Sequence, residues 1–398
     1  MIRIHRANTA DTATEHAAGV KPWIVERLDL ARMFSVYVYR AARGLPQLGS
    51  AALCEAFASA TYVSAGPARG IIDIFTSGAI WGKKATADGV QDALLSLVSG
   101  TGVTPKVKAP EARRLWSQIA WIQQRIDKVL VSLPADLWSI DQSLMKVCGG
   151  AFSAHAKALL MWLFDYDWWC TGASGIMWTA GLLAEKLDVR SCPYCNRQYT
   201  FSVVKKGTGD VIRPDFDHFC EKSVHPLLAM SFYNLVPSCT TCNSRLKHRT
   251  PFNVIDYLHP HLEGFDNDCV FQLGDSVAGA DPLALIEKPE TIPLSMCHNL
   301  PTTNPKRTRI ENNLSEFQLE QFYQGHRDVV AELVLKHRIY TDAFVEGLRH
   351  QLPGAKLTDD VVSRILWGNY SQDDNLGKRP LSKLTRDIVR ELKGDSIT

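Results

Sequence analysis

The sequence predicts an α+β protein that is mostly helical, with a short β-rich segment in its middle. Three observations predict it. Apolar residues recur every three or four positions from Pro22 to about Asp188 and again over the last ninety residues, the period of an amphipathic helix. Between these stretches, from Cys192 to Arg249, short runs of β-branched and aromatic residues alternate with turn residues. The same middle segment holds four cysteines in two Cys-x2-Cys pairs.

The chain has 398 residues, 45% hydrophobic and 22% charged, so it has ample material for a buried core and divides into two or three domains. No internal repeat is present, which excludes solenoids and propellers. The first 25 residues lack the apolar run of a secretory signal. The most apolar stretch, Trp168 to Ala184, is uncharged for 17 residues but interrupted by glycine, serine and threonine, and it falls short of a bilayer crossing. It reads as a core helix or buried helical hairpin. The expectation is a cytoplasmic protein with no membrane partner. In a reducing compartment its ten cysteines are thiols or metal ligands rather than disulfides.

Taken in order, the helical part carries nine of the ten tryptophans, a core built with large side chains. Within it, residues 70–104 are rich in glycine and read as loops, with a hairpin at GIIDIFTSGAI. In the middle, QYTFSVV and VIRPDFDHF read as strands on either side of a turn at Lys206-Gly207-Thr208-Gly209, and a helix follows from Thr240 to about His248. Residues 260–306 are mixed and rich in Pro, Gly and Asp. Residues 315–352 read as one long helix or two broken ones, and LSKLTRDIVRELK as another. The resulting domains are a helical 1–186 that binds a partner or senses a trigger, a nuclease-like module at 187–262, and a mixed, then helical 263–398. Whether residues 1–186 form one domain or two stays open.

Cys192 and Cys195 form one pair, Cys239 and Cys242 the other. A Cys-x2-Cys turn brings both sulfurs to one side, where backbone amides point at them, and two such pairs within 51 residues are a zinc signal. The 43 residues between the pairs exceed the roughly 15–20 of a zinc ribbon, so something is inserted between the knuckles. Cys54, Cys148, Cys170, Cys220, Cys269 and Cys297 show no such spacing and read as small buried hydrophobes. The insert contains Asp217 and His218. Neighbours on a strand point to opposite sides, so the carboxylate can hold a hard cation while the imidazole takes a proton from water. An Asp-His pair by itself is most often structural; its weight here comes from lying between two knuckles. Asn234 has an equally good reading as a strand-end residue bonded to backbone, and Asn243 as an early helix residue bonded to the knuckle. His225, His259 and His261 fall near prolines in loops and read as non-catalytic.

The strings CPYCNRQYT, DHF, FYNLVPSC and CTTCNSRLK, in that order, resemble the HNH endonucleases, whose ββα-metal fold is a hairpin and a helix around one catalytic cation. The resemblance covers about 60 residues. It implies a structural Zn²⁺ on Cys192, Cys195, Cys239 and Cys242, clamping hairpin and helix together. It implies that His218 is the general base, that Asp217 and Asn243 hold a catalytic Mg²⁺ or Mn²⁺, and that Asn234 orients the base or the hairpin loop. His248 is the alternative to Asn243. Lys247 and Arg245 would face substrate phosphate, and Arg213, with Lys205 and Lys206, lies at a hairpin tip where a nuclease contacts the backbone. Many relatives carry Pro-Lys and Tyr-Pro after the Asp-His pair, where this chain reads Glu221-Lys222-Ser223-Val224-His225-Pro226.

Looser similarity of WGNYSQDDNLGKRPLSKLTRDI to HNH proteins of bacterial anti-phage defence, of the Septu and retron-associated type, implies an ATPase partner. The activity implied is metal-dependent hydrolysis of DNA. The alternatives are a zinc-dependent nucleic-acid-binding or assembly module without catalysis, and an HNH nuclease acting on RNA.

Charge agrees with a phosphate partner once it is divided by segment. The whole chain sums to +2, whereas residues 190–250 carry nine Lys/Arg against four acids, leaving a body of −3. A locally basic module is the electrostatic footprint of backbone binding.

Overall fold

The structure, a computed structural model, describes residues 1–4, 9–45, 56, 59–60, 65–77, 104–172, 176–206, 211–277, 279–351 and 358–394. The chain forms two compact units: Asn8–Leu183 with Cys220–Leu235, and Met1–Ala7 with Ala184–Phe219 and Val236–Thr398. Both are dominated by helix, with four two-stranded sheets among the described residues. No described helix is long and apolar enough to cross a membrane.

In the first, helical unit, α1 (Thr9–Ala42) starts well before Pro22, where the periodic pattern becomes legible. Its early buried positions, Thr12, Ala13, His16, Ala17 and Val20, keep helical spacing but are mostly small or polar, so hydropathy passes over them. Helix α2 (Ala65–Phe75) occupies half of the expected hairpin at residues 70–80. Ile71, Ile72 and Phe75 are buried together at helical spacing, which outweighs the β propensity of the isoleucines. Among the described residues of that segment, β1 (Thr76–Ser77) pairs antiparallel with β2 (Thr104–Pro105). The rest of that segment, with Trp81, and Cys54 before it, lie outside the described residues. Helices α3 (Ala109–Gln123) and α4 (Ile126–Val131) pack on α1, and α5 (Pro134–Val147) follows. Ser153 caps α6 (Ala154–Leu163) by accepting from the Ala156 amide at 3.1 Å, and α7 (Tyr166–Cys170) and α8 (Ala180–Leu187) stand at the start and the end of the apolar stretch read from sequence. The Arg27 guanidinium is enclosed by the faces of Trp23, Trp162 and Trp168 at 4.6, 5.0 and 4.6 Å and donates to the Trp162 carbonyl. Three of the ten tryptophans thus surround one buried cation.

A fully buried histidine makes this unit acid-labile. His16 Nδ1 accepts from the Trp178 indole at 3.0 Å, which leaves Nε2 to donate to the Met230 carbonyl at 2.8 Å, so both ring nitrogens are used by the neutral form. Burial pulls its pKa from 6.5 down to about 4. The folded value is the lower one, so the stabilisation is complete above pH 6.5 and is lost as pH falls toward 4, a difference of about 3 kcal/mol. Urea unfolding at pH 7 and 4.5 should show most of this loss in the wild type and a smaller pH-dependent loss in His16→Gln. Equal pH dependence in both would remove His16 as the cause.

In the second unit the expected strands are shorter than their apolar runs. Within QYTFSVV only β3 (Val203–Val204) forms, paired with β4 (Val211–Ile212), and the expected turn at residues 207–209 lies outside the described residues. Pro214 has no N–H to give and separates β4 from β5 (Asp215–His218). Strand β5 pairs with β6 (Leu235–Ser238), and a short helix, Thr241–Lys247, follows. The mixed stretch contains an antiparallel pair that is not evident in the sequence, β7 (Cys269–Leu273) and β8 (Leu294–His298), with α9 (Pro282–Glu287) between them. After α10 (Pro305–Glu316), residues 315–352 break into more pieces than one or two: α11 (Leu319–Tyr323), α12 (Arg327–Ile339) and α13 (Asp342–Gln351). A left-handed Gln318, φ 47°, makes the first break.

Helix α14 (Asp359–Trp367) precedes α15 (Ser382–Lys393), which matches the last predicted helix and lies along β7. There Asp387 accepts from the Phe271 amide at 3.1 Å and Glu391 from the Leu273 amide at 2.9 Å, so carboxylates satisfy amides that a third strand would otherwise take.

Candidate functional site

The two Cys-x2-Cys pairs converge. The sulfurs of Cys192, Cys195, Cys239 and Cys242 lie within 4.8 Å of one another, all four residues are buried, and Cys195 and Cys239 are 3.9 Å apart. Four thiolates at about 2.3 Å from a central Zn²⁺ stand about 3.8 Å from each other, so this donor set fits a tetrahedral, closed zinc site. Among the described residues it is the one group of three or more Cys, His, Asp or Glu gathered to hold a metal. The first knuckle has its own backbone logic: the Asn196 amide donates to the Cys192 carbonyl at 2.7 Å, and the Arg197 amide to the Cys195 sulfur at 3.4 Å. Hydrogen bonding, first from Cys192, holds the Cys195 thiol far below its usual value, while burial raises Cys192. A zinc held by these four would require every thiol to give up its proton. Of the remaining described cysteines, Cys220 and Cys269 are buried, as small hydrophobes should be, but Cys148, Cys170 and Cys297 are partly exposed.

Asn196 is a hub that sequence reading passes over. It adopts φ 50°, a left-handed conformation that asparagine tolerates. Its side chain donates to Ser191 Oγ (2.9 Å) and to the carbonyls of Leu376 and Arg379, and accepts from the Lys383 amide at 3.0 Å. Tyr323 adds a hydroxyl bond to the Cys195 carbonyl at 2.7 Å. Leu376, Arg379 and Lys383, far along the chain, thus brace the knuckle.

Strand β5 brings Asp217 and His218 beside the helix of the second knuckle. Asp217 is buried, and both of its oxygens are engaged: Oδ1 accepts from Lys247 Nζ at 2.8 Å and Oδ2 from the Tyr194 hydroxyl at 2.6 Å. Lys247 Nζ also donates to the His218 carbonyl at 2.7 Å. The helix carrying Lys247 has a wide turn in which the His248 amide reaches back five residues to the Asn243 carbonyl, at 3.0 Å, a geometry rare among helices. Asn243 is half-buried, and its own amide bonds the Cys239 carbonyl at 3.0 Å. His218 is 9% exposed and His248 lies outside on the surface.

Two expectations change here. Lys247 does not face phosphate, because at 1% exposure its ammonium is turned inward onto a carboxylate and a carbonyl. Asp217 and Asn243 do not fit a hard divalent cation as they stand, since the carboxylate already accepts from a lysine and a tyrosine. Asn234 is buried and bonds the backbone of the segment before it. Its Oδ1 accepts from the Cys220 amide at 2.7 Å, and its Nδ2 donates to the carbonyls of Cys220 and Leu228 at 3.1 and 3.0 Å. Arg245 is exposed, and Arg213 lies over the Phe216 ring while donating to the Pro214 carbonyl. His225, read as a loop residue, is buried on Asp141 at 2.7 Å, a partner 84 positions away.

The ribbon ahead of β5 is unusually apolar for a surface. Tyr199, Phe201, Val203, Val204 and Ile212 are all exposed, and Val203 pairs with Ile212, which puts both on one face. Comparison of the chain with protein-family models, with curated proteins and with solved structures returned no match in any of the three.

Proposed function

We propose that the chain is a nuclease of the HNH type that hydrolyses DNA phosphodiester bonds, with a structural zinc and with His218 as the general base. One observation carries it: the Asp217–His218 strand, its partner β6 and the following helix come in ββα order, with two Cys-x2-Cys knuckles closing on one four-sulfur cluster. His218 takes a proton from water, the resulting hydroxide forms a bond to phosphorus, and the P–O3′ bond breaks. The products are a 5′-phosphate and, after the leaving oxygen gains a proton, a 3′-hydroxyl. The basic balance of residues 190–250 supports phosphate as the partner, and the exposed Tyr199 and Phe201 offer faces on which bases stack. Anti-phage defence with an ATPase partner is the biological setting we propose, on the similarity of residues 367–388.

Supercoiled plasmid and total RNA should be incubated in parallel with Mg²⁺ or Mn²⁺. The expected result is nicking of the plasmid by the zinc-loaded protein; nicking that stops in EDTA and returns on adding Mg²⁺ would mean that a cation is held by ligands other than Asp217 and Asn243 as they stand. Cleavage of RNA alone would move the substrate class. Binding of DNA with steep salt dependence and no cleavage would favour a non-catalytic zinc module.

A further inference from the structure

We infer that Tyr194 and Lys247 are positioning residues that hold the His218 imidazole through the backbone and carboxylate beside it; as a statement about catalysis this rests on the nuclease reading above. Each link starts at a different zinc knuckle. Tyr194 lies between Cys192 and Cys195, is fully buried, and is stacked on Phe317 at 4.5 Å. Lys247 lies at the end of the helix that begins at the second knuckle, with its ammonium 5.0 Å from the Phe252 ring centroid. From these two sides, one hydroxyl and one ammonium meet the same carboxylate, Asp217. The ammonium then takes the His218 carbonyl as a second acceptor.

The consequence follows from strand geometry. Side chains of consecutive strand residues leave opposite faces, so a carboxylate pinned on one face fixes the roll of the strand and with it the direction of the next side chain. The His218 carbonyl bond fixes the peptide that follows. The ring of a general base has to stand at hydrogen-bond distance from its water, about 2.6–3.2 Å, and displacements near 1 Å lower turnover by about 100-fold. A buried ammonium also needs its partner, since removing one member of such a pair destabilises far more than removing both. Lys247 therefore acts on His218 through contacts inside the fold. A phosphate contact would act differently: each one releases counterions and adds about 0.9 to the slope of log affinity against log salt.

The test compares Tyr194→Phe, which deletes one hydroxyl and keeps the ring, with Lys247→Met, which deletes the charge and keeps the stem. In the full-length zinc-loaded protein we expect kcat on plasmid to fall about 10- to 100-fold in each, with KM within twofold and the salt slope of DNA binding unchanged. The melting temperature lost in Lys247→Met should be partly recovered in Asp217→Asn/Lys247→Met. Unchanged kcat in Tyr194→Phe, or a Lys247→Met variant with normal kcat and a salt slope lower by about one, would overturn the assignment.

A second readout does not depend on cleavage. With ¹³C-labelled histidine, Tyr194→Phe should shift the His218 ring signals and leave those of His16 in place; an unmoved His218 signal contradicts the positioning role. If the wild-type protein cuts no nucleic acid while that shift is seen, the nuclease reading fails and the positioning contact stands.

Discussion

Cys195→Ser is expected to release the zinc and unfold the unit that contains it. The four sulfurs converge in a buried space less than 5 Å across, where a thiolate without its cation has neither water nor counter-charge. Metal binding to such structural sites carries roughly 10–16 kcal/mol of apparent free energy in small zinc peptides, comparable with the whole stability of a domain. The damage spreads because the first knuckle is a junction: Ile2 donates to the Pro193 carbonyl at 2.8 Å, Tyr323 to Cys195, and Asn196 joins residues 376–383. Mass spectrometry of bound metal should find one zinc per wild-type chain and none in Cys195→Ser. Thermal unfolding of the variant should lose a cooperative transition. A variant without zinc that melts like the wild type would show that the cluster does not hold the fold.

The second large effect is expected at Asn234. Its side chain is 2% exposed and makes three bonds to the backbone of the loop between β5 and β6, two of them to the same residue, Cys220. Asn234→Ala leaves one amide and two carbonyls without that partner in a buried place, and each such loss costs about 1–3 kcal/mol. Urea unfolding should show a total loss of roughly 3–9 kcal/mol, whereas Asn234→Asp, which keeps the acceptor for the Cys220 amide but loses both donated bonds, should fall between. Amide hydrogen exchange at residues 220–228 should rise in parallel. Stability within about 0.5 kcal/mol of the wild type would mean that the loop is held by other contacts.

Much of the site was legible because its chemistry lies close in sequence. Two Cys-x2-Cys pairs announce a four-sulfur cluster by spacing alone, and the pair at 217–218 stands out for lying between them. The helical ends were legible by period, as with Ser382–Lys393, whereas the start of α1 was not, because its early core positions are alanine, threonine and histidine. Pairings between distant residues left no local trace. Strands β7 and β8 are separated by twenty residues that look like loop, and His225 meets Asp141 from across the chain. Lys247 looked like a phosphate contact because lysines are mostly exposed, and nothing local says that Asp217 and the His218 carbonyl turn this one inward. Tyr194 had a signal that could have been used, an aromatic hydroxyl fixed inside a metal knuckle, within reach of any carboxylate on the neighbouring strand.

The central claim is that His218 activates the water that cuts DNA. Its most direct test is the single-turnover rate of plasmid nicking by wild type and His218→Ala, both carrying one zinc and melting alike. Loss of a general base lowers the rate by about 100- to 10,000-fold, and that is the result predicted. Cleavage by His218→Ala at the wild-type rate would contradict it.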